Sequence, residues 1–243
     1  MSEECVPEPS IVLGIPGNWK DRSEIVTSIV SRSGGYMFAG KILMHTESQT
    51  HFELDVYEND PALPDAVRSG GRGQIPEEDL AALKDHTFTL YLLSDETGPE
   101  VVGRMMDAAV GLLDAGGLVV KVETAGFSVG AAQWREYATN KCAYNMYRSM
   151  VTLVGEGEEH FTCGMKAFSL PDCSVQANLD EAFNVSTEFC CYTIDEAPQF
   201  AEGHTFSVAE EAQKYRISFD NYTFYPPGNL FHNPNGLWRL SPI

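Results

Sequence analysis

Apolar and polar positions along this chain follow two different periods, and each switch between them marks an element. Residues 87–93 are an apolar run that ends at Ser94-Asp95. Residues 99–115 then repeat apolar positions every three and four residues, the period of a helix buried along one side. Val101, Val102, Met105, Ala109, Leu112 and Leu113 form that side. Gly116-Gly117 stops it, because glycine takes the left-handed backbone that closes a helical C-terminus. Residues 118–122 are a second apolar run. The pattern predicts strand, helix, strand over 87–122, and this unit supplies a sheet core for what precedes it.

Upstream, residues 11–15 read as a short buried strand ended by Pro16-Gly17. Asp21 has the character of an N-cap, with Glu24 three residues on as its reciprocal partner. Ile25, Val26, Ile29 and Val30 give a helical stripe, and Gly34-Gly35 ends it. Residues 36–44 and 51–57 read as two strands joined by the polar link 46–50. The second alternates, with Phe52, Leu54 and Val56 on one face and Glu53 and Asp55 on the other. Residues 58–75 are rich in proline and glycine and read as a long loop. Pro76 suits the first turn of a short helix reaching Leu83.

Residues 123–130 read as a glycine-containing link. Helical spacing resumes at 131–137, carrying Trp134, and at 142–150. Residues 151–154 and 160–165 form a hairpin pattern around Gly155-Glu156-Gly157. Leu170-Pro171-Asp172 reads as a turn, 179–193 as a helix with Leu179, Phe183, Val185 and Phe189 inward, 207–212 as a turn of helix, and 215–219 as a strand. From Tyr225 the chain is loop-rich and closes on Leu237-Trp238-Arg239-Leu240.

These elements predict an α/β (α+β) protein: a mixed sheet with helices packed on it and ferredoxin-like split β-α-β elements. The expected organisation is a mobile tail over 1–9 and an α/β core over 10–125. A second α/β half over 126–243 packs on the first, with a docked C-terminal tail over 225–243.

Composition narrows the function. The 35 acidic and 16 basic residues leave a net charge of −19, a field that repels nucleic-acid phosphates and anionic lipid and attracts basic partners. Residues 151–202 hold ten acidic residues against one basic residue, Lys166. Within that segment Glu156, Glu158, Glu159, Asp172, Asp180, Glu181 and Glu188 are the candidate binding residues. The six cysteines, Cys5, Cys142, Cys163, Cys173, Cys190 and Cys191, lack the C-x-x-C spacing of a zinc site. The first residues lack the basic and apolar regions of a secretory signal, and no apolar run approaches the ~20 residues of a membrane helix. A cytoplasmic location is expected, with no cofactor, no metal, no nucleic acid and no membrane partner; oligomeric state is left open.

Four stretches could carry chemistry. Glu53 and Asp55, with Glu58 and Asp60 nearby, could bind a cation or act as an acid/base pair. Cys163 could be a nucleophile with His160, His204 or His232 as base, which would make a hydrolase or transferase. Residues 225–238, dense in aromatic, Pro, Gly and Asn residues, could line a pocket or dock as a tail. Gly70-Gly71-Arg72-Gly73 reads as a flexible loop, since the acidic setting opposes phosphate.

Three stretches also carry a resemblance. They are Leu90-Tyr-Leu-Leu-Ser with the segment from Leu112 to Glu123, Gly126-Phe-Ser-Val-Gly-Ala-Ala-Gln-Trp134, and Gly164-Met-Lys-Ala-Phe168-Ser-Leu170-Pro171-Asp172. Over residues 87–176 the chain resembles a bacterial domain-of-unknown-function family, number 4261. That family shares a strand-helix-strand unit, a Gly/Ser loop before an aromatic-bearing helix, and a Gly-x-x-x-Phe-x-Leu-Pro-acidic motif. It carries no agreed catalytic residues, and some members look like toxin-neutralising partners. The resemblance implies a small bacterial protein of immunity type; joined to the acidic surface of 151–202, it gives the reading of a non-enzymatic protein-binding module that meets a basic toxin, with a hydrolase or transferase using Cys163 or the Glu53/Asp55 pair as the alternative.

Overall fold

The computed structural model describes residues 9–156, 159–221 and 224–243. The tail expected at 1–9, apart from Pro9, and the hairpin tip at Gly157 lie outside the described residues. The chain divides into two compact units. One runs to Thr97 and includes Asp107–Ala131; the other comprises Gly98–Met106 and Ala132–Ile243.

The first unit opens with strand β1 (Ile11–Gly17), buried along its whole length. Helix α1 (Arg22–Arg32) follows. The Asp21 carboxylate accepts from the Glu24 N–H at 3.0 Å, and Glu24 reaches back to the Lys20 N–H at 2.6 Å. The first contact satisfies a donor that the helix start would leave bare, and the second binds the N–H one residue before the cap instead of that of Asp21 itself. Ile25 and Ile29 are buried, whereas Val30 is 55% exposed and Ser28 points inward instead. Residues 36–44 are not one strand but the hairpin β2 (Tyr36–Ala39) and β3 (Ile42–His45). Its turn is at Gly40, whose φ of +63° suits glycine. Strand β4 (His51–Glu58) buries Phe52 and Leu54 and exposes Glu53.

The expected loop at 58–75 contains helix α2 (Leu63–Gly70). The Asp60 carboxylate accepts from the Ala62 N–H at 2.9 Å, and Pro64 sits in the first turn, where no helical N–H is needed. Helix α3 (Glu77–Leu83) and strand β5 (Phe88–Ser94) follow, then helix α4 (Pro99–Asp114), β6 (Val119–Val122) and β7 (Phe127–Gly130). Strand β7 replaces the link expected at 123–130.

The seven strands are ordered β2-β3-β4-β5-β1-β6-β7. Strand β1 pairs antiparallel with both β5 and β6, so β5 and β6 run parallel with β1 between them. By the same logic β1 and β4 run parallel with β5 between them. Two interleaved split β-α-β units result, the ferredoxin-like order, extended by the β2–β3 hairpin and β7. The C-terminus of α4 closes on this sheet. Gly117 N–H donates to Leu112 O at 3.0 Å and Gly116 N–H to Leu113 O at 3.2 Å, the two bonds of a Schellman cap. The next carbonyl, of Ala115, accepts from Trp19 Nε1 and from Arg32, each at 3.0 Å.

The second unit holds helices α5 (Ala131–Thr139), from Ala132 onward, and α6 (Ala143–Met150). Strands β8 (Thr152–Glu156) and β9 (Glu159–Cys163) make the expected hairpin. After a 3-10 turn (Met165–Phe168) comes β10 (Asp172–Gln176), which begins at the last residue of the turn expected at Leu170-Pro171-Asp172 and for which the pattern predicts no strand. Helix α7 (Leu179–Glu196) is longer than its apolar spacing suggested. Strands β11 (Thr205–Phe206), β12 (Tyr215–Asp220) and β13 (Leu237–Pro242) complete the unit. Residues 207–212 form turns and no helix. The order is β11-β12-β13-β10-β9-β8, with β10 and β13 parallel and inside the sheet. The C-terminal residues are therefore a central strand and not a docked tail.

Trp19 is 2% exposed and its indole caps α4, so Trp19→Ala should cost about 3–5 kcal/mol of stability. A lower urea midpoint would check this; a loss under about 1 kcal/mol would contradict the capping role.

Candidate functional site

The pair Glu53 and Asp55 is an outward pair on β4 already served by a lysine. Lys41 Nζ lies 3.3 Å from Glu53 and 2.8 Å from Asp55. The cation between them is the Lys41 ammonium group, from the turn between β2 and β3, and the pair sits on the outward face of the strand. Asp60 is spent on the start of α2, and Glu58 is exposed at the strand end. Among the described residues no group of three or more His, Cys, Asp or Glu side chains is arranged to hold a metal. Gly70 ends α2, and Arg72 and Gly73 make the tight turn after it, both at positive φ.

Cys163 is buried at the end of β9, and its thiol points to the Phe231 carbonyl oxygen at 3.9 Å. Burial, with the Asp172 charge beside it, pushes that thiol well above its ordinary range, so the reactive thiolate is suppressed. His160 is three residues away on the same strand and therefore on the opposite face. His232 Nδ1 is held by the Tyr225 carbonyl at 2.8 Å, and His204 Nδ1 accepts from the Ala201 N–H at 3.3 Å. The thiol-nucleophile arrangement, the alternative reading of the sequence, is not assembled: Cys163 is a buried cysteine on an ordinary hairpin strand.

Behind Cys163 lies a buried polar cluster built on Asp172. Thr162 Oγ1 and the Met165 N–H donate to one carboxylate oxygen at 3.0 and 3.2 Å. Asn233 Nδ2 donates to the other at 2.8 Å and to the Leu170 carbonyl at 3.0 Å. Thr162 Oγ1 in turn accepts from the Cys173 N–H at 2.9 Å. Phe161, Phe224, Tyr225 and Phe231 roof this cluster over a cavity of about 10 Å³, room for roughly one water molecule. The Phe161 and Phe224 rings stack at 3.7 Å. Residues 225–236 thus close over the sheet, and the cavity beneath them among the described residues holds roughly one water molecule.

A second hollow, about 220 Å³, lies on the same face above Glu159, Ser174, Gln176, Arg239 and Ser241. Arg239 spans it, 2.6 Å from Glu159 and 2.9 Å from Asp220, so its fixed charges answer one another.

The acidic segment 151–202 does not present one surface. Asp172 is inside the protein, a correction to its expected place on a docking face, and burial raises its carboxyl to about 6 against the pull of its hydrogen bonds. Glu159 is paired with Arg239, and Glu181 accepts from the Tyr215 hydroxyl at 2.6 Å. Glu158 and the side chain of Glu156 lie outside the described residues. Asp180 and Glu188 are exposed, and both belong to α7.

Helix α7 packs on β10, β9 and α6, and its other side faces water. At 100° per residue Asp180, Asn184, Glu188 and Asp195 fall along one exposed stripe. Leu179 and Phe183 lie to one side of it, 62% and 40% exposed, and Tyr192 to the other, 43% exposed. Of the residues expected inside, Val185 and Phe189 are in the core while Leu179 and Phe183 are not; Ala182 and Cys190 complete the buried side. Arg148 stands over the Phe183 ring at 5.5 Å. Sequence reasoning missed Asp195 because the expected helix ends at 193, and missed Tyr192, inside that helix, because it falls off the apolar spacing. The stripe spacing running on to Asp195 was the available signal.

Among the described residues no helix is long and apolar enough to cross a membrane. No protein-family model, no curated protein and no solved structure matches the chain.

Two outcomes follow from this site. The Asp172 carboxyl is raised from 3.8 to about 6 on folding, so the folded state binds more protons than the unfolded state between those values. Stability from this group is full below about pH 4 and falls by roughly 2–3 kcal/mol as pH rises through 6. Asp172→Asn should remove that slope in urea titrations run from pH 4 to 7; an unchanged slope would assign it elsewhere. With a bulky maleimide, Cys142 should react first among the described cysteines, being exposed. Cys163, Cys173 and Cys190 should lag by on the order of a hundredfold or more until the chain unfolds, as read by mass mapping.

Proposed function

We propose that this chain is a non-enzymatic binding protein whose partner is a basic protein, received on the outward side of α7. The composition of that side carries the proposal: an acidic stripe, Asp180, Glu188 and Asp195, flanked by the exposed apolar residues Leu179, Phe183 and Tyr192. Exposed charge steers encounter, and large apolar side chains beside it hold what arrives.

Two further facts favour a cationic partner. Asp195 and Glu196 stand in the last turn of α7, which contains no basic residue. The helix field is already negative there, so these carboxylates oppose it and gain from positive charge brought from outside. The net charge of −19 acts in the same direction over longer range. In its finer form the proposal is an immunity-type role, in which the acidic helix covers a basic toxin surface. The resemblance of residues 87–176 to the family described above supports that form, as an analogy.

The test starts from the protein captured by this chain in its native host and measures the association rate of the purified pair. The captured protein should be strongly basic. Its association rate should fall at least tenfold between about 50 and 500 mM salt. Glu188→Lys with Asp195→Lys should slow it at least tenfold at low salt. Two lysines placed on α3, as Glu78→Lys with Glu77→Lys, change net charge equally and should slow it far less. An acidic or neutral captured protein, a rate indifferent to salt, or equal slowing by both double variants would overturn the assignment to α7.

A further inference from the structure

We infer that Cys173 and Cys190 form an oxidation site, a dithiol that closes to a disulfide and ties the central strand β10 to helix α7. The inference does not depend on α7 having a partner. The two sulfurs lie 3.6 Å apart, and both residues are fully buried. A disulfide needs ~2.05 Å, so the sulfurs must approach by about 1.5 Å, a movement two side chains can share. The elements that carry them already pack against each other. Cys191 comes next along the helix but is turned about 100° away from the pair.

The surroundings set how the pair behaves. Asp172 lies on the same strand, Tyr147 approaches from α6, and Cys191 follows on α7. Burial pushes the Cys190 thiol well up, and the neighbouring Cys173 and Asp172 add to the shift. Thiolate is scarce in the closed protein, so the pair is stable as a dithiol and oxidises slowly, through brief opening of the α7 contact. Once formed, the bond sits in the same burial and is shielded from reducing thiols.

With hydrogen peroxide as oxidant the step balances. One thiolate attacks a peroxide oxygen; the O–O bond breaks, one water leaves after protonation, and a sulfenic acid remains. The second thiol displaces the hydroxyl; the S–O bond breaks, the S–S bond forms, and a second water leaves. The two thiols give up two protons and two electrons, and the peroxide is reduced to two waters.

The test uses the wild-type chain. After peroxide treatment, remaining thiols are blocked in denaturant and the chain is cut, without reduction, after Glu181 and Glu188, which separates Cys173 from Cys190. The expected product joins the two fragments through these residues, with fragmentation placing the bond on Cys173 and not Cys163, and on Cys190 and not Cys191. The melting temperature should rise by about 5–10 °C over the dithiothreitol-treated protein, and the rise should vanish in Cys190→Ala. Both thiols still free after Cys142 has been fully oxidised would overturn the inference. So would a bond mapped to any other pair, or a bond mapped as expected with no change in melting. The fragment map needs no variant, so it decides the case even where Cys190→Ala fails to fold.

Discussion

A carboxylate taken out of water must find hydrogen bonds from the protein, and the second unit is arranged around one that has. Asp172 collects donors from β9, from the 3-10 turn and from the loop before β13. Three chain segments, far apart in sequence, are thereby required to meet at one point. Their meeting sets β13 beside β10 and lays the aromatic loop over Phe161. Any one donor is worth little in water, but each replaces a solvent contact the buried group no longer has. Removing the group would leave Thr162, Met165 N–H and Asn233 without their acceptor.

The same burial settles how the chemistry-bearing residues divide. Asp172 and Cys163 are held in a closed, nearly dry interior, where their charged forms are disfavoured. Glu53, Asp55, Glu159 and Asp220 are each answered by a lysine or an arginine. Asp180, Glu188 and Asp195 of α7 stand apart from both groups: they face water, beside exposed apolar side chains, on a helix that is firmly packed on its other side. A binding surface needs that combination of a fixed scaffold and unspent contacts. Cys190, on the inward side of the same helix, meets Cys173 of β10 beneath it, so the oxidation state of that pair bears on how tightly the helix is held.

Much of the fold was legible because its signals are local. The α4 stripe, the Gly116-Gly117 stop and the Asp21 cap each lie within one or two turns of chain, and each formed as the pattern predicts. The ferredoxin-like order was legible too, from the succession of strands and helices. The errors share another cause. β10 escapes the pattern because only its first residue, Asp172, carries a signal, that of the turn at Leu170-Pro171-Asp172, and β13 reads as a tail because loop residues precede it. Both are short strands whose identity comes from partners elsewhere in the sheet. Helix α2 was hidden by prolines that break a helix in its middle but not at its start.

Charge and periodicity, then, were written in the chain itself: a net charge of −19, an acidic segment at 151–202, and helices and strands where apolar residues recur at the right spacing. Those properties add up residue by residue and need no knowledge of what lies across the core. Which carboxylate faces water and which is buried, whether a cysteine meets a histidine or another cysteine, and which side of α7 stays bare were decided only in three dimensions. Each depends on neighbours brought together from distant positions, and a one-dimensional pattern carries no record of them.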